Sequence, residues 1–231
     1  MQLEIAGLTS GYGNVTILHG LDFAAKPGEI TCVLGPNGAG KSTLMKTIAG
    51  QLAVTSGDIM IDRSSIAGHG PLRTCKAGVG YVPQERNVFT ELSVRDNLAA
   101  ASLAFAGAAA KIDDVFRRFP ILRERARQRA STLSGGERQT LAISMALLAG
   151  PEIILLDEPT AGLAPIFVDR IVDWIKELAA QGMCVIWVVE QNPEKILAIS
   201  GTTYIIEAGR IKDVLASQSL LAPGMLAQVL L

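Results

Sequence analysis

Neither sign of charge is in excess in the 231-residue chain: 21 lysines and arginines stand against 22 aspartates and glutamates, a formal net charge of −1. No global field therefore draws it to nucleic acid or acidic lipid. Cysteine is scarce, with Cys32, Cys75 and Cys184 far apart. They offer no metal-ligand spacing and no disulfide framework. Cys32 and Cys184 lie inside apolar runs and read as small core residues, which fits a reducing compartment. No apolar run reaches membrane-spanning length. The nearest, Leu98 to Ala110, is interrupted by Ser102 and Gly107, is dominated by alanine, and reads as a core or contact helix. Met1-Gln2-Leu3-Glu4-Ile5 has no basic region followed by an apolar core, so no signal peptide is expected.

What is present is apolar material: 49% of residues are hydrophobic, ample for one large domain or a core with a subdomain. Mean hydropathy is +0.33, so part of the surface is expected to lie under a partner.

The chain is organised around Gly35-Pro36-Asn37-Gly38-Ala39-Gly40-Lys41-Ser42, which reads G-x-x-x-x-G-K-[ST], a phosphate-binding P-loop. The apolar run Ile30 to Leu34 predicts a buried strand before it, and Thr43 to Ala49 a helix after it. Glycines let the backbone turn and aim its N–H groups at one point. The helix start adds unpaired N–H groups and a positive dipole end. Lys41 is placed to reach the β- and γ-phosphates of ATP, and Ser42 to hold Mg²⁺.

Leu3 to Leu8, Leu21 to Ala25 and Gly57 to Asp62 read as further strands, and Ser10 to Asn14 as a turn carrying Tyr12. Val79 to Val82 predicts a strand ending at Gln84. From there to Leu133 no convincing strand is read. Ser93 and Asp96 form an S-x-x-D capping box, followed by helices near 112–119 and 122–129. Ser134 and Glu137 form another box, opening a helix through Leu148. Ile153 to Leu156 is a wholly apolar strand ending in Asp157-Glu158-Pro159. Pro165 opens a helix with Phe167, Ile171, Ile175 and Leu178 on one stripe. Met183 to Val189 is a strand ending in Glu190-Gln191-Asn192, and Tyr204 to Val214 a hairpin turned at Ala208-Gly209.

Strands alternating with helices predict an α/β fold with a parallel sheet, preceded by an antiparallel β-subdomain and interrupted by a helical subdomain at about 89–150. Ligands of such sheets bind beyond the carboxyl ends of the strands. Lys41, Gln84, Asp157 and Gln191 all lie just past such ends. Asp157, a carboxylate ending an aliphatic strand, needs a partner, and Mg²⁺ on a triphosphate is a natural one. Glu158 beside it is assigned to orient and deprotonate water. The bland alternative is an acidic pair capping a loop. Ser134-Gly135-Gly136 is either a plain helix cap or a second anion site. Two such elements with one P-loop suggest that the second serves a nucleotide held by another copy or a paralogue.

These motifs together resemble the ATPase subunits of ABC transporters, over essentially the whole length. The resemblance implies a P-loop NTPase core and a sandwich dimer. Each ATP would lie between one subunit's P-loop, from Gly35 through Ala39 and Gly40 to Thr43, and Ser134, Gly135, Gly136 and Glu137 of the other. It implies that Tyr12 stacks on adenine; without it Tyr12 is equally core or surface. It implies that Gln84, otherwise a solvated loop residue, touches Mg²⁺ and the attacking water. Two positions depart from the pattern: Gln191 replaces the usual histidine, the only histidines being His19 and His69, and Ala164 replaces an aspartate. TAGLAP and VVEQN are similar to LivF-type branched-chain amino acid importer ATPases and their urea and short-chain amide relatives. Gln84 leans toward the latter, because many LivF-type chains have glutamate there. The resemblance implies permease subunits, a second ATPase subunit and, indirectly, an external solute-binding protein, at the cytoplasmic face of the membrane. Nucleic-acid partners are not expected, since no basic stripe or coiled-coil insertion is present. A soluble assembly ATPase is the remaining alternative.

Overall fold

The computed structural model describes residues 1–105 and 107–230. An antiparallel pair opens the chain, β1 (Leu3–Tyr12) and β2 (Val15–Ala25). At Lys26-Pro27-Gly28-Glu29 the Glu29 N–H donates to the Lys26 carbonyl at 3.3 Å and Gly28 takes φ 76°, a type II turn. β3 (Ile30–Leu34) runs into α1 (Lys41–Ile48). β4 (Val54–Ile61), β5 (Ser64–Ser65), α2 (Pro71–Lys76) and β6 (Val79–Val82) follow. Next come α3 (Val94–Ser102), α4 (Ile112–Arg118), α5 (Pro120–Glu124) and α6 (Gly135–Leu148). β7 (Ile153–Asp157), α7 (Pro165–Ala180), β8 (Cys184–Val188) and α8 (Glu194–Leu197) return to the alternating pattern. The hairpin β9 (Thr202–Glu207) and β10 (Arg210–Ala216) precedes a last helix, α9 (Met225–Leu230).

The strands form two sheets, a four-stranded antiparallel one ordered β2-β1-β4-β5 and a six-stranded one ordered β10-β9-β3-β8-β7-β6. The larger is parallel except for β10. Its central strands β3, β7 and β8 are buried at every position because both faces are covered. Val33 and Leu155 join Leu3, Phe23, Leu44 and Ile59 in a core shared with α1 and the small sheet. Their neighbours Leu34 and Leu156 join Ile143, Trp174 and Ile175 in a core beneath α6 and α7. α3 to α6 enclose a third core of Val94, Leu98, Phe116, Leu122 and Leu141.

Two local expectations shift. Tyr12 is the last residue of β1, not part of a turn, and β2 starts at Val15. The ladder slips between Ile5 and Leu8 and again before Ser10, which breaks the period-two pattern by which a strand is recognised. The predicted helix at 122–129 begins at Pro120 and ends at Glu124. The chain beyond it is used to cap α3: the carbonyls of Gln128 and Ala126 accept from Val94 and Arg95 N–H, two donors that a helix start leaves unpaired. The Ser93 hydroxyl takes the third, from Asp96, at 3.1 Å, while the Asp96 side chain bonds that hydroxyl instead of completing the box.

Candidate active site

The order β3-β8-β7-β6 sets the carboxyl ends of four parallel strands side by side. They deliver the P-loop, Glu190, the Asp157-Glu158 pair and Gln84 to one place. A cavity of about 420 Å³ opens there, lined by residues 37–43 together with Ile17, Gln84, Glu158 and Glu190.

The P-loop follows from local constraints. Gly35 has φ 154°, and a Cβ there would fall on the Ile206 carbonyl oxygen of β9. Gly40 caps α1 at φ 109°, a conformation costly for any side-chain-bearing residue. Ala39 N–H donates to Pro36 and its carbonyl accepts from Gly209 N–H at 2.9 Å, so the β9–β10 turn buttresses the loop. Pro36, Asn37 and Gly38 form its exposed tip. Lys41 is only 5% exposed. Its ammonium donates to the Gly35 and Pro36 carbonyls at 2.7 and 3.0 Å, two of its three protons. Lys41, Ser42 and Thr43 form the first turn of α1, whose N–H groups lack helical partners.

Asp157 is 1% exposed at the end of β7. Ser42 Oγ donates to its Oδ1 at 3.1 Å and Tyr81 OH to its Oδ2 at 3.2 Å. Burial raises its pKa, opposed by those two bonds and by Lys46 and Lys41. Burial, with Asp157 beside it, pushes the Tyr81 phenol far above its usual range, so it remains a donor. Ser42, Asp157 and Gln84 present hydroxyl, carboxylate and amide oxygens, the hard donor set that suits Mg²⁺ shared with phosphates.

Glu158 takes φ 50°, a strained conformation of the kind met at functional sites. The turn is pinned by Glu158 N–H to Val188 O at 3.1 Å and Ala161 N–H to Glu158 O at 3.2 Å. Gln84 Nε2 donates to Glu158 Oε2 at 2.8 Å. Burial, then Glu190, then Asp157 push the Glu158 carboxyl up to about 7, against Lys41. Glu190 is held low by Asn37 and by Glu158 itself. The two neighbouring carboxyls are thus pushed apart, Glu158 up and Glu190 down.

Of the segment after β8, Glu190 lines this cavity and Gln191 an adjoining one of about 450 Å³, with Leu163, Asn192 and Lys195. Val189 N–H still donates to Val33, so Glu190 is the first residue free of the ladder, and Asn192 at φ 48° turns the chain away. Tyr12, 45% exposed, stands outside the cavity lining, with Lys46 Nζ 5.8 Å from its ring centroid.

The Ser134 element stands apart from the cavity lining, at the start of α6. Its capping box is complete: Ser134 Oγ accepts from Glu137 N–H at 3.3 Å and Glu137 Oε2 from Ser134 N–H at 2.9 Å. Arg125 Nε binds the other oxygen at 2.7 Å. Burial pushes the Glu137 carboxyl up, but the Ser134 amide and Arg125 outweigh it and hold the group low. Both Glu137 oxygens are therefore committed to holding the turn. Ser134 and Gly135 are exposed, whereas Gly136 is buried where a Cβ would enter the Phe167 ring.

Three participants escape sequence reasoning: Glu190, Tyr81, and a link from Asn87 Nδ2 to Gln139 Oε1 at 2.9 Å that joins the Gln84 loop to α6. Glu190 neighbours Gln191, and Tyr81 shares a strand face with the core, but neither contact has a local signature.

The ABC transporter family matches residues 18–161. Over 212 residues the chain is 40% identical to BraG of Pseudomonas aeruginosa, a high-affinity branched-chain amino acid transport ATP-binding protein, covering 90% of each. It is likewise 40% identical over 211 residues to a probable branched-chain amino acid transport ATP-binding protein, LivF, of Archaeoglobus fulgidus, covering 90% of this chain and 89% of the relative. The fold superposes on a solved ATP-binding subunit of an ABC transporter with a TM-score of 0.84 at 25% identity, over 99% of this chain and 98% of the other. With the P-loop, Ser134 and Asp157 all inside the matched span, the chain belongs to the ABC transporter family and is one of its ATP-binding ATPase subunits.

Proposed function

We propose that this chain hydrolyses ATP to drive import of branched-chain or other hydrophobic amino acids through separate permease subunits, at the cytoplasmic face of the membrane. The hydrolytic reading is carried by Glu158, whose carboxylate meets Gln84 at the edge of the P-loop cavity. Its pKa near 7 suits a general base at working pH. The solute is supported by the 40% identity to BraG and LivF over nine-tenths of the chain. A urea or short-chain amide importer is the second reading, favoured by Gln84.

The first-turn amides of α1 and the Lys41 ammonium bind the β- and γ-phosphates. Ser42, Asp157 and Gln84 would hold Mg²⁺, which would neutralise phosphate charge. Glu158 takes a proton from a water whose oxygen bonds to the γ-phosphorus as the bond to the β–γ bridging oxygen breaks. Gln84, bonded to Glu158 Oε2, orients base and water together. Tyr12 offers its ring to adenine. Ser134-Gly135-Gly136 completes the site of a second ATPase subunit, identical or related, and that subunit returns the same element here. Gln191 adds amide donors on the γ-phosphate side, where the family usually places an imidazole.

The test is turnover and uptake in proteoliposomes holding the permease, both ATPase subunits and the solute-binding protein. Glu158→Gln is expected to keep ATP binding and lower phosphate release by about 10²- to 10⁴-fold, the worth of a positioned base. Wild-type turnover in that variant would remove Glu158 from the chemistry. Uptake of urea but not leucine would replace the solute.

A further inference from the structure

β6 is the edge strand of the large sheet and pairs in parallel with β7, Tyr81 opposite Leu155 and Val82 opposite Leu156. Side chains alternate across a strand. Tyr81 and Leu155 therefore pack toward α1, while Val82 and Leu156 face α6 and α7. Asp157, two residues beyond Leu155, turns to the α1 side as well, where Ser42 meets it. Its two oxygens are taken from opposite flanks: Oδ1 by Ser42 of α1 at 3.1 Å, Oδ2 by Tyr81 of β6 at 3.2 Å. A carboxylate cannot donate, so the phenol is the donor. Rotation of the Asp157 carboxylate would break both bonds inside a buried site.

We propose that Tyr81 is a positioning residue for the metal–nucleotide site: its phenol locks the orientation of the Asp157 carboxylate, keeping Oδ1 beside the Ser42 hydroxyl, the pair that would hold Mg²⁺. The proposal rests on the nucleotide reading above. Without the phenol, Oδ2 loses its donor and the carboxylate is held on one side only. Hydrogen-bond partners of metal-binding carboxylates govern metal affinity in this way, by about 10- to 100-fold. Phenylalanine keeps the ring and its packing and removes the hydroxyl alone.

The experiment uses Mn²⁺ as the probe. Free Mn²⁺ is measured by electron paramagnetic resonance while the ion is titrated into the full chain with ATP present, and ATP binding is measured separately in EDTA. Tyr81→Phe is expected to weaken Mn²⁺ binding by about tenfold while changing ATP binding in EDTA by less than about twofold and leaving the melting temperature close to wild type. Unchanged Mn²⁺ affinity would overturn the assignment. So would an equal loss in both measurements, which marks a packing role. Wild-type protein that, with ATP, lowers free Mn²⁺ no further than the same ATP alone would overturn the nucleotide reading itself, and this proposal with it.

Discussion

The starts of α1 and α6 are both glycine-bearing, and both point backbone amides outward, yet they are finished differently. Around α1 the loop is enclosed by β9 and the β9–β10 turn, Lys41 is buried and bonded to its own loop, and Asp157 waits on the adjoining strand. Around α6 the turn is held by its own capping box and by Arg125, while Ser134 and Gly135 lie exposed at the surface. The first gathers a buried ammonium, the buried Asp157 carboxylate and the Glu158 carboxyl in one place. The second offers hydrogen bonds and a dipole end, and its two nearby guanidiniums are already engaged, Arg125 by Glu137 and Arg138 by the Leu133 carbonyl. A phosphate group alone has reason to settle at α1; at α6 it gains enough only when another body brings the rest.

The largest test of this contrast pairs two alanines. Lys41→Ala is expected to weaken ATP binding by the isolated chain by about 10² or more, the loss of charge-assisted bonds to phosphate. Ser134→Ala is expected to leave that binding within about twofold and to cut turnover of the assembled complex by about tenfold, near one hydrogen bond to a charged group. Calorimetric titration of the isolated chain and phosphate release by the complex separate the two. Equal losses in isolated-chain binding would break the contrast.

Gly136→Ala sharpens it on the side of stability. The new Cβ would enter the Phe167 ring, and overpacking of this kind costs about 1–3 kcal/mol. Gly135→Ala brings its Cβ to 3.2 Å of the Leu163 side chain, a flexible neighbour, and is expected to cost less. Urea unfolding of both variants checks the order. If Gly135→Ala proves the more damaging, the packing account of this helix start fails.

The smallest effect is on pH dependence. The Glu158 carboxyl is raised from about 4.5 to about 7, so the native state binds its proton more tightly than the unfolded chain. Its stabilising contribution is full below about 4.5 and is lost as pH rises to 7. Glu190, held low, acts in the opposite sense only at the acid end. Melting temperature without nucleotide is expected to fall slightly from pH 5 to 7, and Glu158→Gln to flatten that slope. An unchanged or steeper slope in the variant would show that Glu158 is not the group responsible.

Much of the α1 side is legible from sequence because its determinants are contiguous: glycine spacing, the apolar strand before it, and an aliphatic run ending at Asp157. The α6 turn is legible for the same reason, since a capping box is a four-residue pattern. The hairpin of β1 and β2 is less legible, because its slipped ladder erases alternation. Glu190, Tyr81 and the Asn87–Gln139 bond depend on which strands are neighbours and where a ladder lets go. That information belongs to sheet order, and no spacing along one segment contains it. Gln191 and Glu190 are neighbours in sequence, yet Glu190 lines the P-loop cavity and Gln191 the one beside it.

The two carbonyls that hold the Lys41 ammonium have a consequence for speed and selectivity of capture. A free lysine side chain loses about 1.5–2 kcal/mol of rotamer entropy when immobilised. Here that ordering accompanies folding of the loop, so an arriving phosphate meets a side chain already still. At about 1.4 kcal/mol per factor of ten, such stillness is worth roughly tenfold in affinity. The gain goes to any ligand whose phosphates fit the fixed ammonium, and ligands that would need it to swing elsewhere receive none.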